Sequence, residues 1–196
     1  TIADTPVVSA WDEGIRTRLR IGHRLTHTGK GHDYRVLGAR ALCVEAGVMY
    51  KRSYEKRVPA SILCGTAKVR AAFISGLSDA DGHLSDPAKR RSMEFNITST
   101  SKGLLEDVRH MLASLGVNAS LSLSQSFRAG YPGGGGQGSG PRVRDAWRIT
   151  ALGNDQARML ARLLDLAHPE KARRLARYAV TSSRQDRSRV DRVETV

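Results

Sequence analysis

The chain has 196 residues, 40% of them apolar, and a formal net charge of +13. That length suits one ordinary domain, or one domain with a partial second, and no apolar run is long enough to span a bilayer. The charge points to a polyanionic partner, nucleic acid first, while aromatics at 5% argue against a single-strand binder that works by base stacking.

The N-terminal stretch TIADTPVVSAWDEG lacks the basic start and apolar block of a signal peptide. Cys43 and Cys64 have no CxxC spacing and read as free thiols. They suit a reducing compartment, cytoplasmic and nucleoid-associated or organellar, rather than secretion. Ala39–Val48 predicts a short helix, and the polar run 22–35 reads as loop. His23, His27 and His32 in that run have no cysteine pair beside them, so phosphate contact or plain solvation outweighs zinc.

From Lys56 the pattern sharpens. Lys56-Arg57-Val58-Pro59 predicts an extended lead-in, and Thr66 can cap a helix running to about Ala80. That apolar helix closes on Asp79, Asp81 and Gly82. Carboxylates are badly placed at a helix C-terminus, where the macrodipole already puts negative charge, unless a cation lies beyond it. Ala72, Gly76 and Ala80 form a small-residue stripe at i, i+4, i+8. Gly76 costs the helix about 1 kcal/mol against alanine, which close approach of another backbone would explain.

A strand at His83–Ser85, a turn at Asp86-Pro87 and a second strand at Ser92–Ser99 follow, with Met93, Phe95 and Ile97 alternating against Glu94, Asn96 and Thr98. Ser101 precedes a helix carrying Leu104, Leu105, Val108, Met111, Leu112 and Leu115, and Gly116 stops it. Val117–Ser124 predicts a third strand. The glycine-rich run 129–141 lacks a following Gly-Lys-Ser/Thr, so it is no phosphate loop but a hairpin connection. A fourth strand alternates Val143, Trp147 and Ile149 with Arg142, Arg144, Arg148 and Thr150. Asn154 can cap a helix through Leu164, and His168–Val180 predicts a last, outwardly basic helix. The order is α-β-β-α-β-β-α-α, an α+β fold whose sheet has one apolar face and one face of donors and acceptors suited to a DNA major groove.

Ile74-Ser75-Gly76-Leu77-Ser78-Asp79-Ala80-Asp81-Gly82 resembles the defining motif of the LAGLIDADG homing endonucleases. Phe73, the upstream Lys56-Arg57-Val58-Pro59, the segment 95–117 and the closing WRITALGNDQARMLARLL and HPEKARRLARYA are similar to that family too, over about 125 residues. The resemblance implies a four-stranded antiparallel saddle sheet backed by helices, αββαββα(α). It divides the chain into an N-terminal extension or remnant of another repeat (1–56), an endonuclease domain (57–181) and a charged tail (182–196).

The implied activity is site-specific cleavage of double-stranded DNA with Mg²⁺ or Mn²⁺. Asp81 and the Ala80 carbonyl would hold the metal, and Asp79 would be structural. Lys171 would stand near the scissile phosphate, and Ser99 occupies a position where a water-organising residue is expected. Glu94, Asn96, Thr98, Ser122, Arg144 and Arg148 are the DNA-face candidates, and Ala72, Gly76 and Ala80 the dimer-interface candidates. One motif supplies half a site. The chain is therefore a homodimer or a fragment of a two-motif enzyme, with segments 20–29 and 189–196 similar to intein splicing strands. It lacks an N-terminal Cys or Ser and a C-terminal His-Asn, which argues against self-splicing. An inactive DNA-binding protein and an RNA maturase are the alternative readings on the same fold.

Overall fold

A computed structural model of the chain describes residues 24–27, 34–37, 40–45, 51–125 and 144–181. The predicted hairpin loop at 129–141 and the tail from 182 lie outside the described residues. Two antiparallel strands, β1 (Arg24–His27) and β2 (Tyr34–Leu37), paired from Arg24↔Leu37 to His27↔Tyr34, overlap the segment 22–35, expected to be loop. Its polar composition hid them, because an antiparallel ribbon needs only backbone pairing and not an apolar run. The short helix α1 occupies Arg40–Glu45, inside the expected range.

The main body follows the predicted order. Helix α2 (Ala60–Leu63) leads into α3 (Ala67–Asp81), and Thr66 Oγ1 accepts the Val69 amide at 3.4 Å as the expected cap. Then come β3 (Gly82–Leu84), β4 (Glu94–Ser99), α4 (Lys102–Ser114), β5 (Ser120–Gln125), β6 (Ala146–Leu152), α5 (Asn154–Leu163) and α6 (Pro169–Val180). The four-stranded sheet is antiparallel in the order β3-β4-β6-β5.

Two helix ends show how sequence sets them. Ser101 Oγ accepts the Leu104 amide at 3.1 Å, starting α4. At its other end Gly116 takes φ +83°, which an L side chain rarely adopts, and the amides of Gly116 and Val117 reach back to Ala113 and Leu112 at 3.0 and 2.9 Å. Asn154 does not cap α5 as expected, because Gly153 holds that place. The Asn154 side-chain amide turns away, accepting from Met93 N at 3.1 Å and donating to Arg91 O at 3.3 Å in the β3–β4 connection.

In β4, β5 and β6 the odd-numbered residues face the helices, and in β3 the even-numbered Leu84 does. Phe95, Ile97, Ile149 and Ala151 join Leu104, Leu105, Val108, Met111 and Leu112 of α4, Ile74 of α3, Leu160 of α5 and Leu175 and Tyr178 of α6 in one buried core. Arg57 and Asp107 tie the lead-in to α4. The guanidinium donates twice to the carboxylate at 2.7 and 2.6 Å, and Val58 N adds a third bond at 3.1 Å. Burial pushes the Asp107 carboxyl upward, but these donors outweigh it and hold the group below the ordinary carboxylate range. Among the described residues no helix is long and apolar enough to cross a membrane.

Candidate functional site

Every face of α3 has a distinct use. Ala71, Ile74, Ser75 and Ser78 are buried. Ser75 and Ser78 satisfy their hydroxyls by donating to the carbonyls one turn back, Ala71 O at 2.9 Å and Ile74 O at 2.6 Å. Ser75 Oγ also accepts the Asp165 amide at 3.1 Å, and one turn on, the Asp79 carboxylate accepts the amides of Ala167 and His168 at 2.9 and 3.1 Å. Asp79 thus anchors the α5–α6 connection.

The opposite face is open. Ala72, Gly76 and Ala80 are exposed, Val69 is 42% exposed, and Phe73 and Leu77 are half-buried. A β-carbon added at Gly76 would meet nothing within 4 Å, so nothing among the described residues demands a glycine there. A helix apolar on both faces is one that expects cover on both.

At the C-terminus of α3 the last carbonyls lack partners within the helix. Lys171 Nζ donates to two of them, Ser78 O at 2.8 Å and Asp79 O at 2.7 Å, placing a cation where the macrodipole is negative. Gly82 N closes on Ser78 O as well. Gly82 is required sterically, since a β-carbon there would stand 2.5 Å from Ser78 O and 2.8 Å from its Cα. The chain can therefore pass directly from helix to strand. Asp81, exposed, is left at that corner with the Ala80 carbonyl beside it in sequence. Because Gly82 pairs with Ile97, Asp81 lies at the Thr98 end of β4.

The open face of the sheet is fixed by register. His83, Asn96, Thr150 and Ser120 form one row across the four strands, and Thr98, Arg148 and Ser122 the next. Arg148 Nε donates to Thr98 Oγ1 at 3.2 Å. Glu94, on the same face, is ion-paired to Arg90 and accepts Asn96 Nδ2 at 3.3 Å. Asn96 is only 7% exposed. Arg144 stands before β6 and stacks its guanidinium 3.6 Å from the centre of the Tyr54 ring, a lateral position that strand parity could not show. Ser99 falls on the helix-facing parity, and its hydroxyl accepts the Ser101 amide at 3.1 Å. His83, Ser120 and Thr150 join the open face without having been among the DNA-face candidates, and the pairing register sets them in one row with Asn96.

A hard divalent cation takes carboxylate and carbonyl oxygens together with water and phosphate oxygens, and Asp81 with Ala80 supplies the first two kinds. They fit such an ion in part. Among the described residues no group of three or more His, Cys, Asp or Glu side chains converges to hold a metal.

A family model described as a LAGLIDADG-like domain matches residues 68–164. Among solved structures, I-DmoI in complex with DNA and Ca is 18% identical, with a TM-score of 0.55, covering 88% of this chain and 76% of that one. Mesophilic variants of the homing endonuclease I-DmoI match at 16% identity and a TM-score of 0.54, over 83% and 74% of the two chains. A curated relative, the replicative DNA helicase DnaB of Rhodothermus marinus, is 35% identical over 78 residues, 39% of this chain. The chain spans only 8% of that relative's length. The matched region holds α3 from its second residue, its Asp81 corner and the whole four-stranded sheet, and this region is a LAGLIDADG-like domain on the fold of the homing endonuclease I-DmoI.

Proposed function

We propose that this chain supplies one half of a divalent-metal-dependent double-strand DNA endonuclease. One observation carries the reading: an exposed Asp81 sits at the end of a helix whose outer face is bare, at the corner of an open polar sheet. Packing two such helices along the Ala72–Gly76–Ala80 stripe, from a second copy or a second repeat, brings two Asp81-type carboxylates together. That pairing would complete an oxygen set one chain fills only in part. The Ca- and DNA-bound I-DmoI structure supports this by its shared fold.

Asp81 and the Ala80 carbonyl would hold Mg²⁺ or Mn²⁺, which supplies Lewis acidity and an activated water when bound. The chain's own residues do the rest. Lys171 holds the helix end by its carbonyls and keeps a positive charge near the phosphates. Thr98, Arg148 and Ser122 present donors and acceptors to base edges in the major groove, and Asn96 and Glu94 border them. The antiparallel β1–β2 pair and the match confined to 8% of a long helicase support a module carried inside a larger protein, as in an intein.

A second reading, binding without cleavage, draws on Ser99, whose hydroxyl is engaged with Ser101 N and not with the open face. Incubation with a randomised duplex library and Mg²⁺ separates the two. Recovery of cut ends from wild type and none from Asp81→Asn supports the endonuclease. Retained binding with no cuts from wild type leaves the second reading standing.

A further inference from the structure

The connection between β3 and β4 presents Lys89, Arg90 and Arg91 on consecutive exposed positions, yet its backbone is fastened at several points. Asp86 builds the turn: its carboxylate accepts the Ala88 amide at 2.9 Å, and its carbonyl accepts those of Lys89 and Arg90 at 3.0 and 2.9 Å. Tyr178 of α6 donates its hydroxyl to Arg90 O at 3.0 Å. A phenol has one proton, so Ser85 Oγ, 2.9 Å away, donates to Tyr178 while accepting Glu94 N at 2.9 Å. Asn154 of α5 holds Met93 N and Arg91 O from the other side. Tyr178 and Asn154 are 1% and 7% exposed, and buried hydrogen bonds of this kind are costly to break. A loop with a charged, exposed tip and a backbone locked through two helices is a rigid mount that loses little entropy on binding.

A cleft of about 310 Å³ adjoins it, lined by His83, Ser85, Asp86, Lys89, Arg90, Glu94 and Arg174. His83 and Glu94 belong to the open face of the sheet and Arg174 to α6, so the cleft continues that face around its β3 edge. The acids here are Asp86, Glu94 and Glu170. Arg90 pairs with Glu94 and Arg174 with Glu170, and Arg90 is 61% exposed, so its pair is weak in water and exchangeable for a phosphate. From Thr98, beside Asp81, to Glu94 is four residue steps. At ~3.3 Å each that is about 13 Å, or roughly four base-pair steps.

We propose that this loop is a sequence-independent clamp on the DNA backbone at the outer end of the half-site, with Tyr178 and Asn154 as its positioning residues. The inference rests on the DNA-binding reading above. The full chain is titrated with a random-sequence duplex across a range of salt concentrations. Replacing Lys89, Arg90 and Arg91 with serine lowers the slope of log K against log salt by about two to three. Serine at Arg162, Arg173 and Arg177, on the helical side, leaves the slope near wild type. An unchanged slope in the loop variant, with wild type binding normally, overturns this proposal alone. Absence of salt-sensitive binding in wild type overturns the DNA reading and the clamp with it. Tyr178→Phe keeps the ring and tests positioning on a single duplex recovered from the library selection above: hydroxyl-radical protection becomes diffuse at the outboard phosphates and stays sharp under the sheet. A footprint identical to wild type overturns the role given to Tyr178.

Discussion

Lys171 and Asp79 cap each other's helices. The ammonium donates to the Asp79 carbonyl at 2.7 Å, and the Asp79 carboxylate accepts the Ala167 and His168 amides just ahead of α6 at 2.9 and 3.1 Å. Each places charge where the other helix's dipole favours it. Lys171→Met should therefore cost about 1–2 kcal/mol of stability. Thermal or urea unfolding checks this, and an unchanged midpoint would detach Lys171 from the helix end.

The two motif aspartates should separate cleanly. Asp79→Ala orphans two backbone amides and should destabilise by about 1–3 kcal/mol. Asp81→Asn is exposed and should leave unfolding within about 0.5 kcal/mol of wild type, while eliminating Mg²⁺-dependent cleavage and preserving salt-sensitive DNA binding. Denaturation and cleavage assays on the same two proteins suffice, and the idea fails if Asp81→Asn still cuts.

Gly76 offers a test of the bare face. Alanine fits without contact among the described residues and should raise helix stability by up to about 1 kcal/mol. Gly76→Leu fills the stripe and should weaken association between motif helices. Sedimentation mass on DNA, wild type against Gly76→Leu, reads this directly, and identical masses would remove the stripe from any interface.

Gly82 makes the opposite prediction. Its missing β-carbon lies 2.5 Å from Ser78 O, so Gly82→Ala must shift backbone and should cost at least about 1–3 kcal/mol. A melting curve matching wild type would show that the helix-to-strand corner can relax.

Asp107 predicts acid lability. Its folded pKa lies below its unfolded value, so the stability it contributes is complete above the unfolded value of about 3.9 and disappears as pH falls through the folded one. Unfolding free energy should decline across that acidic window in wild type and less steeply in Asp107→Asn. Parallel declines would discount the Arg57–Asp107 pair.

Sequence alone determined the order of elements from Thr66 onward, because period and cap chemistry are local: Thr66 and Ser101 start helices, Gly116 ends one, and Phe95 and Ile97 alternate with Thr98. It also singled out Asp81 for a test, since a carboxylate beside a helix C-terminus is unfavourable by itself. The β1–β2 ribbon was illegible, because it is held by backbone pairing that a polar sequence does not advertise. Only the tertiary structure decided that Asn154 braces the β3–β4 connection and leaves its helix uncapped, that Ser99 turns from the open face, and that His83, Asn96, Thr150 and Ser120 share one row. Those facts depend on strand register and on partners 30 or more residues away for most of them, and no local pattern encodes which strand will lie alongside which.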